Sequence, residues 1–376
     1  MGPLVSASLE VFAHASASRG KPAFEITDAV VEGEEVEVVE EVVLRKPFGQ
    51  LKRFRRVHAD GSDVTGQPRL LLVAPMSGHY ATLLRGTVER MLPGHDVYIT
   101  DWRDAKLVPL SDGSFDLDDY IDYLILFLET IGERTGERPN LLAVCQPAVP
   151  AFAATALMGA AKNRWRPKTL TMMGGPIDTR KAPTAVNTLA TQRPHAWFQN
   201  NVIATVPMIY PGAGRKVYPG FLQLAGFMAM NLGDHLTSHW EMFKHLVQGD
   251  GDSADASKDF YDEYRSVCDM TSEFYLQTVD VVFQRHLLPK GELTHRGRRV
   301  DPAAIRDIAL LAIEGERDDI SGIGQTKAAL DISTGLPAKR KLYHLAKGAG
   351  HYGIFHGSKW RTRIAPVVEE WIAAHD

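Results

Sequence analysis

Cysteine is scarce in this chain, where Cys145 and Cys268 are the only two among 376 residues. Two thiols make no disulfide framework, and their scarcity suits a reducing compartment rather than a secretory route. The start lacks the marks of a signal peptide: no Lys or Arg precedes Arg19, and Glu10 interrupts the only apolar stretch. Met1-Gly2-Pro3-Leu4-Val5-Ser6 formally fits the myristoylation pattern, but so short a pattern recurs by chance and has no second anchor signal beside it. A cytoplasmic location is expected. Charge of one sign is lacking as well. With 42 basic and 46 acidic residues the formal charge is -4, so no nucleic-acid partner is expected. The one basic cluster, Arg45 to Arg56, reads as a hairpin with solvated edges.

A membrane-spanning run is absent too. The longest uncharged stretch, Leu141 to Ala161, is about as long as a spanning helix. Pro147 and Pro150 stand near its start behind a β-like run, which implies a strand, a sharp turn and a buried helix. There is no fixed-period repeat and no low-complexity tract. What the chain does have is length, beyond the size at which one core stops growing, so a large domain with an inserted piece or two domains is expected.

Hydrophobic runs and their punctuation order the elements. Glu34 to Leu44 and Leu51 to Val57 flank a turn at Pro47-Phe48-Gly49, the pattern of an antiparallel hairpin. Short apolar runs at Leu70 to Ala74, Asp96 to Thr100, Asn140 to Val144 and Leu170 to Met173 suit strands buried on both faces. Helical segments separate them, over Tyr80 to Met91, Leu117 to Ile131 with Asp116 as N-cap, and Pro147 to Ala161. The alternation lapses from about Arg180 to Val300, a stretch rich in aromatics, Met and Pro that reads as mainly helical. It resumes with a strand at Ile308 to Ile313, a helix over Gly324 to Ile332, a strand at Lys341 to Leu345 and a closing helix to Ala374. Strands alternating with helices imply a mostly parallel sheet with helices on both faces. A sheet interrupted after its sixth strand and resumed for its last two is an α/β-hydrolase core, residues 1–179 and 301–376, carrying an inserted helical cap at 180–300.

The run that ends in Ala143-Val144 enters Cys145, and Pro147 then begins a helix. That is the strand-turn-helix setting of a nucleophile elbow, with the helix amides directed at the projecting side chain. The usual G-x-S-x-G pattern is replaced by Ala143-Val144-Cys145-Gln146-Pro147. Alanine suits the crowded first position, and proline suits a first helical turn, where an N–H has no intrahelical partner. A free cysteine is more often a buried small hydrophobe, and Cys268, away from any elbow, is given that structural role. The resumed sheet supplies a base and an acid. His351, in Gly348-Ala349-Gly350-His351-Tyr352-Gly353, follows the last strand, and Asp318 follows the strand before it, with Asp319 as runner-up. The chain order nucleophile, carboxylate, histidine is that of this fold. A loop histidine and a helix-capping aspartate are the bland readings of those two. Oxyanion donors are expected from the backbone N–H of Gln146 and of Met76 or Ser77, in Pro75-Met76-Ser77-Gly78-His79. His235 and His239 have the i, i+4 spacing of a zinc pair but no H-E-x-x-H pattern, so no metal is expected.

Taken together these residues resemble the intracellular polyhydroxybutyrate depolymerases, which erode a cell's storage-polyester granules. Val144-Cys145-Gln146-Pro147 is the most specific match. Ala74-Pro75-Met76-Ser77-Gly78-His79-Tyr80, Thr100-Asp101-Trp102-Arg103, Gly315-Glu316-Arg317-Asp318-Asp319-Ile320-Ser321-Gly322 and Gly350-His351-Tyr352-Gly353 are also similar to that family. The likeness runs from about Lys21 to the C-terminus, and the chain's start looks shorter than is usual. It implies a Cys145, Asp318 and His351 triad that hydrolyses 3-hydroxybutyrate esters through a thioester acyl-enzyme, without a cofactor. The implied partners are polyhydroxybutyrate, its granule surface and 3-hydroxybutyrate oligomers. The family is related to the polyester synthases, so a synthase-like acyltransferase or a non-catalytic granule-binding protein are the alternatives.

Overall fold

The computed structural model describes residues 20–76, 79–223 and 266–376. Strand β1 (Asp28–Val31) turns into β2 (Glu34–Lys46) through Glu32 and Gly33, both at positive φ. A tight reversal at Pro47 and Phe48 leads to β3 (Gly49–Val57). The basic residues here belong to the sheet: Lys52 pairs with Glu40 at 2.8 Å, Arg53 with Asp96 at 2.9 Å, and buried Arg56 donates to the carbonyl of Leu92 at 2.7 Å. Strands β4 (Arg69–Val73), β5 (Asp96–Trp102), β6 (Asn140–Val144), β7 (Thr169–Met173), β8 (Ala309–Gly315) and β9 (Lys341–Ala346) complete one nine-stranded sheet. Its order is β1-β2-β3-β5-β4-β6-β7-β8-β9, antiparallel through β5 and parallel from β5 onward. Leu70, Leu71, Leu72, Leu141, Leu142, Leu310 and Leu311 are wholly buried in it.

The connections decide where a site forms. From β4 the chain moves outward to β5 through α1 (Arg85–Met91), then back past β4 to β6 through α2 (Leu117–Thr135). Right-handed crossovers in opposite directions put α1 and α2 on opposite faces. Asp116 and Asp119 close a reciprocal capping box on α2, each side chain accepting the other's backbone N–H at 2.9 Å. From β6 the chain continues away through α3 (Ala148–Ala160) to β7. The loops after β4 and β6 therefore diverge from neighbouring strands, leaving a crevice at the carboxyl edge between them. On the α1 face, Arg90 meets Glu369 of the last helix, α8 (Ala365–Ala373).

Three details differ from the sequence reading. Seven strands precede the interruption, because the four residues of β1 form a hairpin too short to show a period. The helix expected over Gly324 to Ile332 shrinks to α7 (Ala328–Ile332). Gly324 sits at φ +94, and buried Glu314 accepts the N–H groups of Gly324 and Lys327 at 2.8 Å each, which holds that stretch in turns. The described part of residues 180–300 contains helices α4 (Ala185–Gln192), α5 (His195–Asn201) and α6 (Ser272–Thr278), the last continued by a π-helical segment, Val279–Gln284. It also contains a small antiparallel sheet of Ala204–Thr205, Lys216–Tyr218 and Met270–Thr271, unforeseen because its strands are only two or three residues long. Trp240, Phe243, His235 and His239 lie outside the described residues. Among the described residues no helix is long and apolar enough to cross a membrane.

Candidate active site

Cys145 stands one residue past β6, at φ 66. That left-handed conformation costs a β-substituted residue about 1–3 kcal/mol. The turn is held from both sides, by the Cys145 N–H on the carbonyl of Met173 at 2.7 Å and by the Ala148 N–H on the carbonyl of Cys145 at 3.0 Å. The glycines missing from the elbow are compensated across the sheet. Gly175 lies against Ala148 and the Cys145 carbonyl so closely that a Cβ there collides with Ala148. Gly174 likewise clears space for the histidine, since a Cβ on it falls 3.1 Å from His351 Cε1 and 3.2 Å from Asp318 Oδ2. This glycine pair was not singled out in the sequence, although Gly174-Gly175-Pro176 directly after a strand is a readable signal.

Asp318 and His351 arrive from the ends of β8 and β9. His351 Nδ1 and Asp318 Oδ2 are 2.8 Å apart, and the Asp318 side chain is wholly buried. Asp318 Oδ1 accepts the N–H groups of Ile320 at 2.9 Å and Ser321 at 2.8 Å, so both carboxylate oxygens are engaged. Asp319 is exposed. Cys145 lies close enough to this histidine to bear on its protonation. Burial by itself lowers the pKa of His351, but the nearby charges of Asp318 and Cys145 outweigh it and hold the imidazole well above its ordinary value. Tyr352 and Phe355 meet its ring edge to face, at 5.7 Å and 6.1 Å.

The loop after β4 supplies the other side of the crevice. Its entry is pinned at Ala74, whose N–H donates to Thr100 Oγ1 at 3.0 Å and whose carbonyl accepts from Trp102 Nε1 at 2.8 Å and the Tyr120 hydroxyl at 3.3 Å. Here Thr100 and Trp102 show a physical role that the sequence did not disclose. The Met76 N–H points across the crevice and donates to Gln146 Oε1 at 3.1 Å. Ser77 lies outside the described residues. A cavity of about 390 Å³ opens over Cys145, Gln146 and Gly174, walled by Leu189, Phe198, Tyr218, Met270, Tyr275 and Phe283. Apolar walls around a few convergent polar groups suit an uncharged acyl ligand. A larger cavity, about 510 Å³, lies at the ends of β3 and β5 and contains none of these three residues. Cys268 is buried, its thiol pushed up by desolvation, and donates to the carbonyl of His79 at 3.5 Å.

A mostly parallel sheet, helices on both faces, and cysteine, aspartate and histidine past the carboxyl ends of β6, β8 and β9 define an α/β-hydrolase. The family described as PHB de-polymerase C-terminus matches residues 174–376, more than half of the chain. The chain belongs to that family. Poly(3-hydroxyalkanoate) polymerase subunit PhaC of Haloarcula marismortui is 23% identical over 297 residues, which cover 76% of this chain and 56% of that protein. The chain thus spans little more than half the length of the curated relative it matches. Among solved structures, a carboxylesterase of Nitrososphaera gargenis is 14% identical, with TM-score 0.48 over 88% of this chain and 97% of that one. A monoacylglycerol lipase of Paleococcus ferrophilus is 15% identical, with TM-score 0.46 over 83% and 97%. The fold is established by the strand order, not by overlays this loose.

Proposed function

We propose that this chain hydrolyses ester bonds of poly(3-hydroxybutyrate), with Cys145 as nucleophile, His351 as proton carrier and Asp318 as its orienting acid. The 2.8 Å contact of His351 Nδ1 with the buried Asp318 side chain, with Cys145 close enough to act on the same ring, carries this reading. Asp318 accepts a hydrogen bond from the Nδ1–H and so sets the tautomer. With the proton of the Cys145 thiol held on Nε2, as the raised pKa of His351 favours, the thiolate attacks the ester carbonyl. The tetrahedral intermediate collapses to a thioester, and the departing alkoxide takes the proton from Nε2. Water then gives a proton to His351, attacks the thioester and releases the acid and the thiol. The N–H groups of Gln146 and Met76 receive the oxyanion, which takes the place held by Gln146 Oε1. No cofactor enters. The protein works in the cytoplasm at the surface of storage granules and releases 3-hydroxybutyrate or its oligomers.

The likeness to a polymerase subunit favours one competing reading, transfer of the acyl group from a thioester to a growing chain. Both use the same acyl-enzyme and differ in the acceptor. The protein is incubated with amorphous polymer and, separately, with 3-hydroxybutyryl-CoA. Soluble acid from polymer, abolished in Cys145→Ala with the fold retained, is the expected outcome. Polymer growth from the thioester makes it a synthase, and neither product leaves a binding protein. Full hydrolysis by Cys145→Ala removes the central claim.

A further inference from the structure

The exposed apolar surface is concentrated in one place. Nine large apolar side chains are exposed among the described residues, and five of them, Leu107, Leu110, Met208, Ile209 and Tyr210, sit on two adjoining loops. Met208 and Ile209 are 88% and 83% exposed, unusual for aliphatic groups in a soluble surface. Their exposure is built in. Buried Arg215 donates to the carbonyls of Val108 at 3.1 Å, Pro109 at 2.7 Å and Gly113 at 2.9 Å, which clamps the two loops together. The Gly212 N–H donates to the Lys106 carbonyl at 2.9 Å, and a Cβ on Gly212 comes within 2.7 to 3.0 Å of three carbonyls of the facing loop.

Leu107 and Tyr210 also wall the 510 Å³ cavity, together with exposed Arg45, Lys46 and Arg103. In a chain of formal charge -4 this is a local surplus of positive charge. The cavity reaches Tyr80, four positions beyond Met76 on the loop that faces Cys145.

We propose that this apolar knob with its cationic border is the surface by which the chain seats itself on amorphous polyester. Met208, Ile209 and Leu110 enter the polymer, and Arg45, Lys46 and Arg103 meet its carboxylate chain ends. The inference rests on the polyester-hydrolase reading and adds the docking face to it. A second copy is a poorer occupant, because a stable dimer buries about 800 Å² per partner, more than five side chains on two short loops supply.

The test uses the full chain carrying Met208→Ser and Ile209→Ser, sedimented with amorphous poly(3-hydroxybutyrate) particles and assayed on p-nitrophenyl butyrate. Adsorption is expected to fall about tenfold or more, with kcat/KM on the soluble ester and the thermal midpoint unchanged. Arg45→Gln with Lys46→Gln weakens adsorption and flattens its salt dependence. Adsorption unaffected by the double serine variant, or both substrates lost in parallel, overturns the proposal. So does a wild-type protein that binds anionic phospholipid vesicles but not polymer, or a dimer that the serine variant dissociates. Wild-type adsorption through the knob without release of acid sinks the hydrolase reading and leaves the docking face standing.

Discussion

Cys145 holds a backbone conformation that a β-carbon disfavours, and its neighbours enforce it through two backbone hydrogen bonds and a glycine just past the adjoining strand. The same neighbourhood determines the charge of His351. Its folded pKa is raised, so the protonated ring contributes stability that is complete below the unfolded value of about 6.5. That contribution is lost as pH rises through the folded value. Asp318→Asn removes the main cause opposing burial. Urea unfolding should therefore show a larger loss of stability for Asp318→Asn near pH 6 than in the alkaline range, with hydrolysis lost at both. An equal loss at all pH values dissociates the ion pair from stability. Cys268, buried and with its thiol pushed up, shares none of these features.

At the scale of elements, Asp318 is positioned by a buried carboxylate that lies outside the cavity over Cys145. Glu314, the last residue but one of β8, is wholly buried and accepts from Gly324, Lys327 and the Tyr343 hydroxyl, each at 2.8 Å. These bonds fold the segment after Asp318 into turns that present the Ile320 and Ser321 N–H groups to its carboxylate. Glu314→Ala leaves two backbone donors unpaired, and a loss of about 2–4 kcal/mol is expected, together with reduced kcat as Asp318 loosens. Tyr343→Phe removes one hydroxyl bond and should lose no more than about 1.5 kcal/mol, with kcat near wild type. Chemical denaturation and steady-state kinetics on a soluble ester check both. Equal effects of the two variants contradict the positioning role.

The whole molecule is joined across the point where the family match begins. Residue 174 directly follows β7, and β8 pairs in parallel with β7 from Ala309↔Thr169 to Ile313↔Met173. The matched region thus holds Asp318 and His351, while Cys145 and the loop of Met76 lie before it. A fragment of residues 174–376 has β8 exposed along one edge and lacks the strands that bury it. It should show no cooperative thermal transition and no esterase activity, measured by circular dichroism and p-nitrophenyl butyrate hydrolysis. A sigmoidal melt from that fragment makes it a domain of its own.

Local pattern sufficed for much of this protein. Apolar runs, helix caps and the order of Cys145, Asp318 and His351 along the chain define an α/β-hydrolase, because buried strands and strand-to-helix turns are written in adjacent residues. The Asp116 cap and the Pro147 helix start are such cases. Tertiary structure decided what depends on partners distant in sequence. It brought Asp318 rather than Asp319 to His351, since only the first side chain is enclosed by the ends of two strands. It replaced the elbow's missing glycines with Gly174 and Gly175, which directly follow the next strand, and it drew residues 324–327 out of a helix through Glu314. It left Tyr210 and Phe221 exposed while packing Tyr218 against Tyr275, with ring centroids 4.0 Å apart. Residues 226–231 of the same aromatic- and Met-rich stretch lie outside the described residues. Hydrophobic character alone does not separate a core residue from a docking residue. That distinction is made by what the fold places above each side chain.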